Sequence, residues 1–359
     1  MVVGHDGKLP LPWLQATLDA AMAQARAHAL LLRGSADVGA LEAAVVLAQS
    51  WLCEGGQGGA MRIACGRCEA CHLVQAKSHP DLLLLLTEEM RQQHGWLMAL
   101  DKAASAASSS GDDDKPRKKA SRQIRIDEVR WCNEWASKTS SRGRAKVVVL
   151  HPADVLNVQA ANALLKTLEE PSPGVRFVLT TADADALLPT VRSRCQMLSM
   201  PAPDAATALA WLRERGVEGG AVLLAAAGER PLLALSLHAA GVSAQVWAEL
   251  PLAVARGDAK VLSGWPLPRA IDALLRLCHD LARQAVGGAP RFFPAAAIQI
   301  FSADAHALDA WRQSLLRASR HDGHAWNEGL LLESLCAQGA MAMDSGNTAV
   351  PGRRATLPA

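Results

Sequence analysis

Short apolar runs alternate with stretches of helical spacing along the first half of the chain. Leu14 to Ala27 has helical spacing, and His28 to Leu32 is an apolar run ahead of a glycine that predicts a buried strand. Gly34 to Gly39 reads as a turn and Ala40 to Leu52 as a helix. Cys53 to Cys71 is rich in Gly and Cys and predicts no regular element. Strands are expected at Asp81 to Thr87, Lys146 to Leu150, Arg176 to Thr180 and Gln196 to Met200. Helices are expected at Ile126 to Lys138 and at Asn157 to Glu169, the latter stopped by Pro171. Strands separated by helices predict a parallel sheet covered on both faces, and right-handed crossovers make it an open α/β/α sandwich.

After Pro201 and Pro203 the strand signals stop. Ala205 to Arg215, Ala221 to Ala227 and Pro231 to Ala239 predict short helices. From about Ser243 the chain reads helical again, at Ile271 to Val286, Ala295 to Phe301, Ala305 to Ser319 and Trp326 to Ala340. Met341 to Ala359 is polar and punctuated by Gly and Pro, and is expected to be a disordered tail.

Length and composition narrow this picture. A chain of 359 residues predicts two or three domains. Half its residues are hydrophobic, which excludes a disordered chain and a disulfide-stapled miniprotein. The longest apolar runs fall far short of the roughly 18 residues of a spanning helix. With no basic start followed by an apolar stretch, the expected compartment is the cytoplasm. A net charge of +2 does not announce a nucleic-acid binder. Residues 101–122 form a low-complexity charged insertion, read as a solvated loop. Lys115 to Lys146 holds eleven Lys or Arg against three acids, and without an aromatic platform it reads as a solvated face before a DNA surface.

Four motifs carry candidate chemistry. Gly34-Ser-Ala-Asp-Val-Gly39-Ala40-Leu41 lies between a strand and a helix, where a phosphate-binding loop belongs, although a plain tight turn fits equally well. In a working loop Lys and Ser or Thr follow the second glycine, to neutralise phosphate and hold Mg²⁺; here they are Ala40 and Leu41. The strand Lys146 to Leu150 would end in a metal-holding acid, and His151 and Pro152 stand there instead. Cys53, Cys65, Cys68 and Cys71 have the spacing of a closed tetrahedral Zn²⁺ site. A redox site or loose thiols are the other readings, with His72 or His79 able to replace a ligand. Ser193-Arg194-Cys195 taken alone is a basic surface turn.

Further runs join these: Pro12-Trp13-Leu14, His79-Pro80-Asp81, Ala161-Asn-Ala-Leu-Leu-Lys-Thr-Leu-Glu-Glu-Pro171 and Phe177-Val-Leu-Thr-Thr181. In this order, over roughly residues 10–202, they resemble the delta-prime family of bacterial DNA polymerase III clamp-loader subunits. The insertion at 101–122 departs from that pattern. The resemblance implies an AAA+ fold: a P-loop-type parallel sheet sandwich with an inserted zinc module (53–71) over residues 1–202. It further implies a small helical lid at 203–243 and an all-helical collar at 244–340. The collar would join gamma/tau and delta subunits in a hetero-pentamer that loads the sliding clamp onto primer-template DNA, within the DNA-directed DNA polymerase holoenzyme. ATP would sit only in neighbouring subunits, none at Gly34, Gly39, Ala40 and Leu41, and the zinc would be structural. Arg194, flanked by Ser193 and Cys195, would be an arginine finger acting in trans. Thr180 and Thr181 would fall at the family's sensor positions in a structural role. Two alternatives stay open: an active gamma/tau-type ATPase, which the missing Lys at Ala40 opposes, and a zinc-dependent DNA-binding protein.

Overall fold

Five parallel strands build one sheet: β1 (Ala29–Arg33), β2 (Leu82–Leu86), β3 (Lys146–His151), β4 (Val175–Thr181) and β5 (Gln196–Ser199), in the order β2-β3-β4-β1-β5. This computed structural model describes residues 1–24, 27–35, 37–55, 62–96, 121–320 and 327–344. A row of apolar partners, Leu85, Leu150, Leu179, Leu31 and Met197, crosses all five strands in register. The inner strands are buried on both faces, so they read as unbroken Val/Leu runs. The edge strand β5 is mostly exposed, which is why its sequence signal is the weakest.

The helices of this unit are α1 (Gln15–Ala23), α2 (Ala40–Leu52), α3 (Glu69–Gln75), α4 (Glu88–His94), α5 (Ile126–Ser137), α6 (Val158–Glu169) and α7 (Pro189–Arg192). Helices α5, α6 and α7 pack Val129, Cys132, Leu164, Leu168 and Val191 onto Leu31, Leu85, Val148 and Phe177. Helix α2 covers the other face. Helix α6 starts one residue later than expected, because Asn157 is its N-cap and accepts a hydrogen bond from the Ala160 N–H at 2.8 Å.

Three elements differ from expectation. Helix α1 ends at Ala23 and is preceded by a 3₁₀ turn at Pro12–Leu14; Ala25 and Arg26 lie outside the described residues. Helix α4 has no apolar stripe to announce it. It is fixed by buried Arg91, whose guanidinium pairs with Glu128 of α5 at 2.8 Å and donates to the Leu86 carbonyl at 2.6 Å. Helix α3 begins inside the segment expected to be irregular, so Cys71 is helical while the other three cysteines are not. The charged insertion lies outside the described residues except for Ser121 and Arg122.

The chain divides into two units after Pro203. In the second, every described element is helical: α8 (Ala205–Glu214), α9 (Gly220–Ala226), α10 (Pro231–Ala239), α11 (Ala244–Ala255), α12 (Leu267–Ala285), α13 (Ala295–Ile298), α14 (Ala305–Arg320) and α15 (Glu328–Asp344), besides one 3₁₀ turn. Trp247 and Trp311 are fully buried among them. Buried Asp280 accepts hydrogen bonds from the N–H groups of Arg291, Phe292 and Phe293, which fixes the loop after α12. Helix α15 runs to Asp344, into the segment expected to be a tail, because Ala342 and Met343 are buried; 345–359 lie outside the described residues.

Candidate functional site

The four cysteines converge. Their sulfurs lie within 4.8 Å of one another, and the group contains no histidine. The Cys53–Cys68 and Cys65–Cys71 sulfur pairs are 3.8 and 4.0 Å apart. A tetrahedral ion with bonds of about 2.3 Å needs edges of about 3.8 Å. Backbone N–H groups of Glu54, Gly55, Cys65, Arg67 and Cys68 point at these sulfurs at 3.3–3.4 Å and favour thiolates. Burial pushes the Cys65 thiol up, but the Arg67 and Cys68 amides and the neighbouring thiols outweigh it and hold the group at about 6. Burial raises Cys53 and Cys71. Gly55 leaves room for the cluster, since a Cβ there would stand 2.6 Å from the Cys65 sulfur. The donor set can hold one thiophilic ion with no open position, which suits a structural role.

Residues outside the cysteine motif brace this module. Arg142 pairs with Glu54 and Glu69, both at 2.7 Å. The Ser141 and Arg142 amides donate to buried Asp81 at 2.7 and 3.0 Å. On the other side, the N-terminal arm lies along α2. Fully buried Gln49 accepts from the Val3 N–H at 2.8 Å and donates to the Val3 carbonyl at 3.1 Å. Gln75 donates to the Val3 and Gly66 carbonyls, both at 2.9 Å, and Arg67 to the His5 carbonyl at 3.0 Å. Of the two candidate replacement ligands, His72 faces His5 with ring centroids 4.9 Å apart, and His79 accepts from the Asp81 N–H at 3.0 Å. Among the described residues of the basic stretch, Arg122 pairs with Glu89, Arg125 with Glu88 and Arg130 with Asp127, and Lys146 lies over the Trp135 ring.

The Gly34 to Leu41 loop sits between β1 and α2 as expected, with Ala36 outside the described residues. Its glycines are sterically required. A Cβ on Gly34 would stand 2.9 Å from Met200 Cβ; Gly39 has φ +98°, and a Cβ there would stand 2.2 Å from Leu11 Cδ1. The loop is filled by protein. Leu11 packs on Gly39, Val38 is fully buried, and Trp13 donates to the Val38 carbonyl at 2.8 Å. Leu41, in place of the metal-holding hydroxyl, is only 4% exposed. Glu42 sits in the first turn of α2, where a negative charge complements the positive end of the helix.

At the end of β3, His151 stands where an acid would hold a metal. Burial pushes it down to about 4, so it is neutral, and its Nδ1 lies 2.5 Å from Thr180 Oγ1. Thr181 Oγ1 lies 3.0 Å from Asp154 Oδ1 and accepts from the Asp183 N–H at 3.1 Å. Both threonines are thereby committed inside the fold.

Arg194 follows α7, its side chain 29% exposed. Nη1 donates to the Thr190 carbonyl at 2.7 Å, and Nη2 to Glu169 Oε1 at the end of α6. Ser193 Oγ donates to the same Thr190 carbonyl at 3.2 Å. Burial pushes the Cys195 thiol up to about 12, leaving it inert.

In comparisons with known proteins, the family described as "DNA polymerase III, delta subunit" matches residues 14–204. DNA polymerase III subunit delta' of Pseudomonas aeruginosa is 37% identical over 239 residues, covering 65% of this chain and 63% of the relative. The delta' subunit of Escherichia coli is 32% identical over 219 residues, covering 60% of this chain and 56% of the relative. Subunit tau of Escherichia coli is 30% identical over 177 residues, 49% of this chain and 22% of the relative. The chain thus spans less than two thirds of the length of these relatives. No single helix among the described residues is long and apolar enough to cross a membrane. With more than half its residues matched, and with delta' subunits among its relatives, the chain belongs to the DNA polymerase III delta' family of clamp-loader proteins.

Proposed function

We propose that this chain is a clamp-loader subunit that hydrolyses no ATP itself and lends Arg194 to the nucleotide of a neighbouring subunit. The observation that carries this reading is the filled loop: Leu11 packs on Gly39, Leu41 is buried, Glu42 adds a negative charge to the first turn of α2, and His151 is neutral. Each of the groups that would hold triphosphate and Mg²⁺ is replaced by one that cannot. Arg194 keeps what a finger needs, a permanent cation with forked donors near the surface. In other phosphoryl-transfer systems such a residue is worth about 10³–10⁵ in rate.

In this reading the cysteine cluster holds structural Zn²⁺. Residues 203–243 act as the lid and 244–340 as the collar that joins gamma/tau and delta subunits in a pentamer. The assembly opens the sliding clamp and places it on primed DNA. The relatives named delta' and tau support these partners.

Two measurements test the reading. Calorimetric titration of the purified chain should show no ATP binding at micromolar concentrations; submicromolar binding with turnover would establish the active-ATPase alternative. In the reconstituted loader, Arg194→Ala should assemble normally and lower the DNA- and clamp-stimulated ATPase at least tenfold; an unchanged rate removes the finger assignment.

A further inference from the structure

The Arg194 guanidinium is already engaged within its own chain. Nη1 donates to the Thr190 carbonyl, Nη2 pairs with Glu169, and Nε is buried with no hydrogen-bond partner. The neighbouring Arg192 has its own acid, Asp185, at 2.5 Å, and does not compete for Glu169.

Glu169 is an expensive residue for its helix. It is the last residue of α6, at the negative end of the macrodipole, and Glu170 follows it directly. A pair whose side chains are 29% and 47% exposed adds little to the stability of the fold. It has a large effect on the guanidinium, however, because a carboxylate on Nη2 cancels the charge that a phosphate would attract.

We propose that Glu169 is a positioning residue that latches Arg194 in the resting chain and must release it before the arginine reaches a neighbour's phosphate. This rests on the finger reading above. The latch acts as a population tax: Arg194 is available only in the fraction of molecules in which the pair is open. An exposed pair of this kind shifts that fraction about two- to fivefold. Such a factor damps idle hydrolysis. The assembled site, whose triphosphate offers several negative charges in place of one, overcomes it.

The test compares Glu169→Gln and Arg194→Ala in the reconstituted loader. Glutamine keeps the shape and an acceptor oxygen but removes the charge. The expected result is a two- to fivefold higher ATPase without DNA or clamp, a stimulated rate no lower than that of the parent loader, and the thermal midpoint of the chain unchanged. A basal rate that stays level or falls with Glu169→Gln, while Arg194→Ala is impaired, overturns the latch and leaves the finger standing. If Arg194→Ala has no effect, the finger itself fails. The latch is then judged on the isolated chain, by the rate at which phenylglyoxal modifies Arg194, followed by peptide mass spectrometry. Glu169→Gln should speed that modification two- to fivefold, and equal rates sink the latch.

Discussion

Gly66 and Gly143 have almost the same backbone and opposite surroundings, so one substitution at each isolates the N-terminal arm. Their φ angles are +72° and +69°, where a Cβ costs about 1–2 kcal/mol. Part of that is returned because alanine stiffens the unfolded chain by about 0.4–1 kcal/mol. At Gly143 nothing lies within 4 Å of the added Cβ, so Gly143→Ala should cost about 1 kcal/mol. At Gly66 the Cβ would stand 1.9 Å from the Gly4 carbonyl oxygen, which belongs to backbone and must move as a unit. Moving it exposes Val3, a burial worth about 1.5–3 kcal/mol, and breaks the two Val3–Gln49 hydrogen bonds, about 1 kcal/mol each. With about one residue's worth of backbone entropy regained, about 1–2 kcal/mol, the net loss beyond Gly143→Ala is about 2–3 kcal/mol. Urea unfolding of the two variants reads that difference, and with the cysteine cluster loaded with Zn²⁺ a chromogenic chelator reads its release, which should quicken only for Gly66→Ala. Equal unfolding free energies and equal release rates would refute the reasoning, since the arm would then contribute nothing to the cysteine module.

Stripping the metal with a chelator should leave a chain of lower thermal midpoint that regains its stability on adding one equivalent of Zn²⁺, as differential scanning calorimetry would record; a metal-free chain of unchanged midpoint speaks against the site. His151 gives a pH dependence of known sign. Burial lowers it to about 4 from 6.5, so between those values the unfolded chain binds the extra proton. Its contribution is whole above pH 6.5 and falls by up to about 3 kcal/mol as pH drops toward 4. Urea titrations at pH 7, 5 and 4 should show that slope flattened in His151→Asn, and an identical slope in the variant would assign it to other groups.

The sheet was legible because its inner strands are apolar on both faces and therefore appear as unbroken runs, such as Val147, Val148 and Val149. The cysteine cluster was legible because four thiols that converge within one short segment write their spacing into the sequence. Helix α4 was not, since periodicity detects only apolar stripes and this helix is anchored by a buried salt bridge. Its end signals were nevertheless present: Thr87 accepts from the Met90 N–H at 3.3 Å, and Gly95 takes φ +65°. The N-terminal arm left no signal, because the hydrogen bonds that hold it use the Val3 backbone, which every residue but proline offers, and one buried Val makes no pattern.

The loop from Gly34 to Leu41 illustrates how much of a site sequence substitution alone leaves unread. Ala40 and Leu41 report the missing lysine and hydroxyl, and on that basis an empty backbone cradle could survive. Leu11 lies 28 positions before Gly39 and packs on it, and Glu42 looks like any acid in a first turn. Only the fold brings both to the loop, and that convergence supports the reading that no phosphate sits there. The same logic applies to Arg194. Its motif marks it as a surface cation, and a surface cation is ordinarily solvated. Glu169, 25 residues away at the wrong end of a helix for an acid, turns that cation into one with a competitor. A charge held by a weak partner is available to a stronger one, and on the proposed reading the strongest candidate for that role is a neighbour's triphosphate.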